Sequence, residues 1–577
     1  MNKITLLVST LFVFNISVSI AQENFQLKSR PTSFESVGAI GDSIFNMKMP
    51  VSYEAKNAVI TNKLPYPIIF IHGLNSSSET WNTTSNYLDS QYGFTFGGRF
   101  DFCLNADNND ALANTNFYPT SGADIAAFET TLMQNGDYYY VNYDVDPDGS
   151  IGSSVYSNQS AIVKQGAAVK RAVERVLELT GKDKVILVGH SMGGLASREY
   201  IQNSYNWQAD SQHHIAKLLT LGTPHGGSNA SDIGLGWIIG METHSEALRD
   251  LKTTYYYSGD QGRYLFGGSE INDSNNMNEH LWGDDYWNID VNCNGTIGDN
   301  IVGLNQKTID NLIDFTNVVG KVNGDTTDGV VTETSAKMNN YLTNLQFPAK
   351  YFYYTAIGVE VHTALTGRLY QIMQGLDEPN FKELAFGIDI NTVYNGFTTV
   401  QENSADGDDD YFKFTVTDNI IATLDMSAIV TSQMQASFLD SAGNLIGSIQ
   451  NNSGATLSNT VTLAPGDYFL KLRSTTPTST DYETPYQFVI NTVLSTNSNT
   501  FENFSYYPNP VKNKIKFDNI ALSQIKIYNT LGQLVAVKNL NINNTQHQID
   551  VSNLTKGVYL FVLEDNSSHK TIRIIKE

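Results

Sequence analysis

The segment GHSMGG at residues 189–194 limits the possible folds of this chain more than any other. An apolar strand pattern, KVILV, precedes it, and a helical pattern, GLASREYIQ, follows it. A serine on so sharp a strand-to-helix turn needs small residues two positions before and after it, because larger side chains would collide with neighbouring backbone. Gly189 and Gly193 meet that need. The segment therefore predicts a nucleophile elbow with Ser191 as the nucleophile; the alternative is a glycine-rich turn with a solvated serine.

Strands and helices alternate around this motif, between about residues 65 and 225. Strand patterns occur in YPIIFIHG, DYYYVNYD, KVILVGHS and AKLLTLGTP, with helical patterns between them, one of which runs from Trp81 to Tyr92. Such alternation predicts a parallel sheet with helices on both faces.

The longest helical pattern lies in QSAIVKQGAAVKRAVERVLELTG. Ile162, Val169, Val173 and Val176 are spaced to fall on one stripe of a helix, and Gly181 is expected to end it. We expect that stripe to lie on the sheet.

Length and charge set further limits. A chain of 577 residues exceeds what a single hydrophobic core supports, roughly 250–300 residues, so two or three domains are expected. The chain has 36 basic and 59 acidic residues, for a formal net charge of -23. Because such a charge repels phosphate backbones and anionic headgroups, we expect no nucleic-acid partner.

The first residues have the pattern of a secretory signal. Lys3 precedes an apolar stretch from Ile4 to Phe14, and the small residues Ser19 and Ala21 follow, which predicts cleavage after Ala21 and export. No later window reaches the ~18 apolar residues of a membrane-spanning helix, so no such segment is expected.

The chain has two cysteines, Cys103 and Cys293. In an oxidising compartment they could form a disulfide that closes a long loop. The alternative is two buried thiols, and the sequence leaves both open.

An acyl-transfer serine needs backbone donors for the oxyanion. The N–H after the nucleophile belongs to Met192, and the second donor is expected from Leu74, just after the predicted strand Ile68–Ile71 in FIHGLN. His72, which precedes the glycine of that loop, is expected to orient the loop and not to act as a base.

The order of serine, acid and histidine along the chain in this fold selects the base. The histidine that follows the acid candidates within the same domain is His362, in AIGVEVHTALTG; the alternative is a core or surface histidine at a strand end. The segment VNGDTTDGVVTETSA offers Asp325, Asp328 and Glu333 as the acid. We choose Asp328 because it follows a predicted strand, residues 316–322, at a turn; Asp325 is the second candidate, and capping of the turn is the alternative role.

A long insertion lies between Ser228 and Leu312 and contains many aromatic residues among Gly, Asn and Asp. We expect either a lid over the elbow or a packed subdomain that narrows the cleft. Within it, DVNCNGTIGD resembles the start of a calcium loop, although the twelfth position is Ile301 where a bidentate carboxylate is expected. The alternative is an Asx-rich turn. The candidate calcium ligands are Asp290, Asn292, Asn294 and Asp299.

From about residue 388 the pattern changes to closely spaced short strands with Gly, Asn and Asp turns. Residues 388–493 are therefore predicted to form a β-sandwich. A polar linker at 494–503 and a small β-rich domain at 504–577 follow it.

Four segments, HGLN, GHSMGGL, LLTLGTPHGGS and TDGVV, resemble those of bacterial triacylglycerol lipases and related lipase-like α/β hydrolases. The resemblance covers about residues 65–370 and implies the α/β-hydrolase fold, within a domain predicted at 65–385 with the cap at about 228–312. Carried over residue by residue, it implies Ser191 as nucleophile, Asp328 as acid and His362 as base, with the amides of Leu74 and Met192 as the oxyanion hole. Where the best-known bacterial lipases bind calcium two residues after the histidine, this chain has Ala364, so that calcium site is not expected.

Two further resemblances concern the β-rich part. DDDYFKFTV, DSAGNLIGS and LAPGDYFLKLRS resemble the bacterial pre-peptidase C-terminal domain, which implies a non-catalytic β-sandwich. YPNPVKNKIKFDN, IKIYNTLGQLV, LTKGVYLFVLED and KTIRIIKE resemble the C-terminal sorting domain of type IX secretion, which implies a secreted or cell-surface protein and the type IX machinery as a partner.

The resemblances imply a secreted serine hydrolase that cleaves carboxylic esters of lipids through an acyl-enzyme. The chemistry is expected to need no cofactor, with calcium only in a structural role. A short-chain or polyester esterase, an acyltransferase, and an adhesion protein with an inactive hydrolase domain are the alternatives.

Overall fold

A computed structural model of the chain describes most of the hydrolase region and the two β-rich regions. The described residues are 35–37, 64–104, 125–129, 133–145, 151, 157–160, 162–228, 246–251, 304–342, 345–357, 361–400, 407–494, 504–565 and 569–577.

A nine-stranded sheet with the order β1-β4-β3-β5-β2-β6-β7-β8-β9 organises the hydrolase region. All neighbours from β3 to β9 run parallel, whereas β4 pairs antiparallel with both β1 and β3. The strands are β1 (Glu35–Val37), β2 (Ile68–Ile71), β3 (Phe96–Cys103), β4 (Ile125–Glu129), β5 (Tyr138–Asn142), β6 (Val185–His190), β7 (Ile215–Leu221), β8 (Asp314–Val322) and β9 (Lys350–Ala356).

The sheet forms because its central strands are apolar on both faces. Every residue of β2, β5, β6 and β7 is buried, as expected for parallel strands covered on both sides. Ile71 at the end of β2 lies opposite Gly189 of β6 and Val141 of β5. The carboxyl ends of these strands therefore meet at one edge of the sheet, where ligands bind in open α/β folds.

Helices cover the sheet on both faces, as predicted. Leu218 belongs to the same core cluster as Val169 and Val173 of the longest helix, whereas the next residue, Leu219, lies against Gly375 on a later helix. Adjacent strand residues point to opposite faces, so these two helices pack on opposite sides. The helices are α1 (Asn82–Tyr87), α2 (Ile162–Thr180), α3 (Met192–Gln202), α4 (Glu246–Leu251), α5 (Glu333–Ala336), α6 (Val361–Ala364) and α7 (Leu369–Leu376).

Helix α2 has the predicted stripe and end. Ile162, Val169, Val173 and Val176 are all fully buried. Gly181 follows with φ at +67°, the left-handed conformation in which glycine commonly ends a helix. The helical pattern predicted from Trp81 to Tyr92 is also present, as α1 flanked by shorter helical turns.

The predicted β-sandwich consists of two sheets with the strand orders β10-β12-β17-β14-β15 and β11-β18-β13-β16. Buried and more exposed residues alternate along β12, as expected for a strand with one face in a core. The strands are β10 (Phe386–Gly387), β11 (Tyr394–Gly396), β12 (Asp408–Val416), β13 (Ile420–Ser427), β14 (Met434–Asp440), β15 (Leu445–Asn451), β16 (Thr456–Leu463), β17 (Gly466–Ser474) and β18 (Tyr486–Leu494).

The C-terminal region also packs two sheets, with the orders β19-β20-β23 and β22-β21-β24-β25. Ile515, Phe517, Ile525, Phe561 and Leu563 are fully buried in its core. The strands are β19 (Ser505–Tyr507), β20 (Lys514–Asp518), β21 (Gln524–Asn529), β22 (Leu534–Asn539), β23 (Gln546–Asp550), β24 (Gly557–Glu564) and β25 (His569–Lys576).

The chain divides into two compact units. The first contains the nine-stranded sheet and most of the β-sandwich, and the second contains residues 492–577 together with the segments 416–422 and 460–466. The domain limits expected from the sequence, namely 1–21, 22–64, 65–385, 388–493, 494–503 and 504–577, stay predictions.

Several predicted features fall outside the described residues. These are the signal segment, the linker after Leu494, and most of the insertion between Ser228 and Leu312, which includes Asp290, Asn292, Asn294 and Asp299. The lid and the calcium loop therefore stay predictions. Cys103 is buried at the end of β3, but Cys293 lies outside the described residues, so their pairing also stays a prediction. Within the described ranges, no helix is long and apolar enough to cross a membrane.

Candidate active site

Ser191 lies on the turn between β6 and α3. Its backbone has φ 52° and ψ −125°, a conformation that residues other than glycine seldom adopt. Its N–H donates a hydrogen bond to the carbonyl of Leu221 over 2.8 Å. A Cβ atom added to Gly189 would lie 2.5 Å from the Cα of Gly194. One added to Gly193 would lie 2.5 Å from the carbonyl oxygen of Ile71. The turn thus has the steric requirement for glycine that the sequence predicted.

The loop after β2 lies against this turn. A Cβ atom on Gly73 would come within 2.7 Å of the Cβ of Ser191, so only glycine lets the loop approach so closely. Leu74, the expected second oxyanion donor, is the next residue and is partly exposed.

His72 holds this loop. Its Nε2 accepts a hydrogen bond from the N–H of Tyr143 over 2.8 Å, so the proton is on Nδ1, which donates to the carbonyl of Gly73 over 2.8 Å. Complete burial lowers the pKa of His72 to about 4, which keeps the ring neutral near pH 7. With both nitrogens engaged, His72 has none left for a proton from Ser191.

Asp328 and His362 meet at the same edge of the sheet. The Nδ1 atom of His362 lies 2.7 Å from Oδ2 of Asp328, and both side chains are buried. The other carboxylate oxygen, Oδ1, accepts hydrogen bonds from the N–H groups of Val330 and Val331 over 2.9 and 2.7 Å. The carboxylate is therefore fixed in orientation, and Nε2 is the nitrogen of His362 left for proton exchange.

The two other acid candidates do not take part in this arrangement. Asp325 is exposed in the turn after β8. Glu333 forms ion pairs with Lys321 and Lys337 over 2.7 and 2.6 Å, and hydrogen bonds from these two lysines lower its pKa to about 2. Of the three carboxylates in this segment, only Asp328 has a recorded contact with His362.

The base lies in a short helix and not at the end of a strand. β9 ends at Ala356, and His362 is the second residue of α6. The N–H of His362 also donates to the carbonyl of Asp328 over 3.3 Å. Backbone and side chain of the histidine are thus both bound to the acid residue.

Gly222 is a residue of the site that was not predicted from the sequence. A Cβ atom there would lie 3.0 Å from both Oδ2 of Asp328 and Nδ1 of His362, and the residue has φ +56°. Any side chain would therefore press on the hydrogen bond between the acid and the base. The signal was present in the sequence, because this glycine directly follows β7 in TLGTP.

His190, next to the serine, is the second such residue. Its Nε2 lies 2.9 Å from the carbonyl oxygen of His362, and the two rings are 4.9 Å apart. Because the acceptor is a carbonyl, Nε2 must carry the proton and donate it. Burial lowers the pKa of His190 to about 3, so the ring is neutral. His190, the last residue of β6, therefore holds the backbone of His362 in place through this hydrogen bond.

We expect His190→Leu to lower kcat of ester hydrolysis by roughly 10- to 100-fold with little change in KM, because a small displacement of a catalytic group costs about that much. His190→Gln, whose side-chain amide can donate to the carbonyl of His362, should retain most of the rate. Steady-state kinetics of both variants, with circular dichroism as a check of folding, test this. Equal rates for the two variants would argue against a positioning role for the hydrogen bond.

A buried network anchors α3 behind the serine. Arg198 donates hydrogen bonds to Gln202 over 2.9 Å and to the side chain of Asn305 over 2.8 Å, and its guanidinium lies 3.3 Å from Nδ1 of His225. Burial, together with Arg198, holds the pKa of His225 well below its usual range. His225 is therefore a neutral structural residue.

Two segments of the chain match known families. Residues 65–235 match the family described as the PGAP1-like alpha/beta domain. This part of the chain is thus similar to lipase-like α/β hydrolases. Residues 505–577 match the secretion system C-terminal sorting domain, and this type IX sorting domain indicates an extracellular or cell-surface protein.

The hydrolase domain is similar to a triacylglycerol lipase of Pseudarthrobacter phenanthrenivorans, with 34% identity over 101 residues, which are 17% of this chain and 30% of that protein. The chain thus spans less than a third of that relative. A solved lipase, BlEst2 of Bacillus licheniformis in its propeptide form, is 14% identical, with 94% of this chain and 97% of that one covered and a TM-score of 0.26. The pre-peptidase C-terminal domain of a Bacillus anthracis collagenase is 14% identical, with 20% of this chain and 99% of that one covered and a TM-score of 0.16.

Proposed function

We propose that this chain is a secreted serine hydrolase that cleaves carboxylic esters of lipids through an acyl-enzyme on Ser191. The observation that carries the proposal is the 2.7 Å hydrogen bond between His362 of α6 and Asp328 of the turn after β8, at the sheet edge where the elbow presents Ser191. A base oriented by a buried carboxylate beside an elbow serine is the arrangement that acyl transfer requires.

In the proposed mechanism Nε2 of His362 takes the proton of the Ser191 hydroxyl while the serine oxygen attacks the ester carbonyl. Asp328 holds the tautomer with the proton on Nδ1 and stabilises the imidazolium that forms. The tetrahedral intermediate then expels the alcohol, which receives the proton from His362. A water molecule, deprotonated in turn by His362, releases the acid and restores Ser191.

The oxyanion is proposed to bind the N–H groups of Met192 and Leu74. Met192 is the first residue of α3, and the first N–H groups of a helix have no acceptor within the helix. The positive end of the helix dipole adds to their attraction for the oxyanion. Leu74 follows Gly73, which touches the elbow, so its amide is close to the reacting centre. No step of the proposed mechanism needs a cofactor.

Three observations favour lipid esters as the substrate class. The name of the Pseudarthrobacter relative, triacylglycerol lipase, favours lipid esters. The insertion between Ser228 and Leu312 contains Trp237, Trp282 and Trp287, and as a lid these would supply an apolar surface for acyl chains. Export through the sorting domain places the enzyme outside the cell, where lipid or polyester would be met as external substrates.

Hydrolysis of p-nitrophenyl esters from acetate to palmitate by the full-length chain tests the substrate class. For a lipase we expect kcat/KM to rise with chain length by at least roughly tenfold, because each buried methylene contributes about 0.8 kcal/mol. An optimum at acetate or butyrate would assign a short-chain or polymer esterase instead. Ester formation with an added alcohol in preference to hydrolysis would assign an acyltransferase, and no turnover of any ester would contradict the proposal.

A further inference from the structure

Three aspartates with fully buried side chains meet where the hydrolase region joins the β-sandwich. Asp377 directly follows α7, and Asp408 and Asp410 are the first and third residues of β12. One carboxylate oxygen from each lies within 4.8 Å of the others. We call these three side chains the junction carboxylates.

Hydrogen bonds satisfy only part of this group. Asp408 accepts from the N–H of Thr399 over 2.7 Å, and Asp410 accepts through Oδ2 from the hydroxyl of Tyr486 over 2.6 Å. Asp377 accepts through Oδ2 from the hydroxyl of Thr399 over 3.2 Å. The remaining oxygens, Oδ1 of Asp377 and Oδ1 of Asp410, are buried and have no donor within reach among the residues that the structure describes.

The two lysines at the junction do not fill this gap. Lys217 forms an ion pair with Asp314 and donates to the backbone carbonyl of Asp377 over 2.9 Å. Lys350 approaches Oδ2 of Asp377 at 3.4 Å, which is the oxygen that already has a donor. It also donates to the side chain of Asn380. Neither ammonium group donates a hydrogen bond to the unpaired oxygens.

Carboxyl groups also outnumber lysines among the described residues of the junction. Besides the junction carboxylates, Asp314 and Glu378 are buried there, which gives five carboxyl groups near two lysines. A buried carboxylate without a counter-charge is costly, because burial removes the water that stabilises its charge. Two buried acceptors without a donor, in a group of three carboxylates whose oxygens lie within 4.8 Å of one another, are features of a cation site.

We propose that the junction carboxylates bind one divalent cation, for which Ca²⁺ is the best candidate. All the donors are hard oxygens, which suit Ca²⁺ and Mg²⁺ and not the softer metals that prefer sulfur or imidazole. Mg²⁺ keeps several of its waters, whereas a site with three fully buried carboxylates favours the ion that accepts a shell of protein oxygens. Oδ1 of Asp377, Oδ1 of Asp410 and the carboxylate of Asp408 would be ligands.

The consequence is a structural link between two parts of the chain. Asp377 belongs to the end of the hydrolase region, and Asp408 and Asp410 belong to the sandwich, so a cation between them stabilises both the folded junction and the strands beside it. The alternative is that the carboxylates share protons and bind no metal. Its residues differ from those of the calcium loop, 290–299, that the sequence suggested.

Calcium content and thermal unfolding test the proposal on the full-length chain. All measurements use a background variant with Asp290→Asn and Asp299→Asn. These two changes remove candidate ligands of the calcium loop that the sequence suggested. After treatment with a chelator, addition of CaCl₂ and gel filtration, we expect about one Ca²⁺ per chain in the background variant. We expect its unfolding midpoint to rise by roughly 5–10 °C at a Ca²⁺ concentration of about a hundred times Kd.

Asp410→Asn in that background should lose the bound Ca²⁺ and the shift, because the amide retains a hydrogen-bond acceptor for Tyr486 but removes the charge. Asp425→Asn, an equal change on the sandwich strand β13, is the matched control and should retain both. If Asp410→Asn fails to fold, the Ca²⁺-dependent rise in the unfolding midpoint of the background protein still tests the proposal. Absence of bound Ca²⁺ and of any shift in the background protein would overturn the proposal, as would an Asp410→Asn protein that retains both.

Discussion

Replacing Ser191 by alanine should lower kcat for p-nitrophenyl esters by roughly 10⁵- to 10⁶-fold, to the rate supported by the oxyanion donors alone. The change removes the only atom proposed to form the acyl-enzyme. It should not disturb the elbow, because alanine has the same Cβ as serine and the strain at φ 52° is common to both. Far-ultraviolet circular dichroism and the unfolding midpoint should therefore match those of the wild type.

Ser197→Ala is the matched control for this experiment. Ser197 lies on α3, the helix that follows Ser191. It is buried, and its hydroxyl donates a hydrogen bond to the carbonyl of Gly193 over 2.9 Å. Its loss should cost at most about 1 kcal/mol of stability and should leave kcat within roughly twofold. If Ser191→Ala kept the wild-type rate, or if the two variants lost activity equally, the proposed mechanism would be wrong.

Asp328→Asn should lower kcat by about 10⁴-fold, as the loss of the correct histidine tautomer does in serine hydrolases of this type. The structure gives a specific reason. Oδ1 of Asp328 accepts from the N–H groups of Val330 and Val331, so the amide oxygen of asparagine must take that place. The amide NH₂ then faces Nδ1 of His362, which must become an acceptor. The proton moves to Nε2, and this nitrogen can no longer accept a proton from Ser191.

Asp325→Asn makes the same chemical change at the second candidate acid of this segment. Because Asp325 is exposed, its replacement should leave kcat within about twofold and stability within about 0.5 kcal/mol. Stopped assays at several pH values with matched protein concentrations would compare the two variants. Loss of activity in Asp325→Asn with retention in Asp328→Asn would reverse the assignment of the acid.

Features that depend on neighbours in the chain could be read from the sequence alone. The glycines around Ser191 were predictable because the elbow brings Gly189 and Gly193 against local backbone, so that any side chain there would collide. The buried stripe of α2 was predictable because helical periodicity fixes which residues share a face. The same holds for the alternating strands of the sandwich. The type IX sorting domain was recognised from its own segments and is matched over residues 505–577.

Only the tertiary structure decided what depends on residues far apart in the chain. Three carboxylates lie between residues 325 and 333, and local pattern could not fix which one meets His362, because that contact depends on how the loops after β8 and β9 fold together. The hydrogen bond from His190 to the backbone of His362 spans 172 positions and leaves no local signal. The junction carboxylates, contributed by the residue after α7 and by β12, likewise become neighbours only when the sandwich packs on the hydrolase region. The sequence determined local geometry, because sterics and periodicity act over a few residues; the tertiary structure decided the pairing of charges, because only packing sets which buried groups lie together and lack a partner.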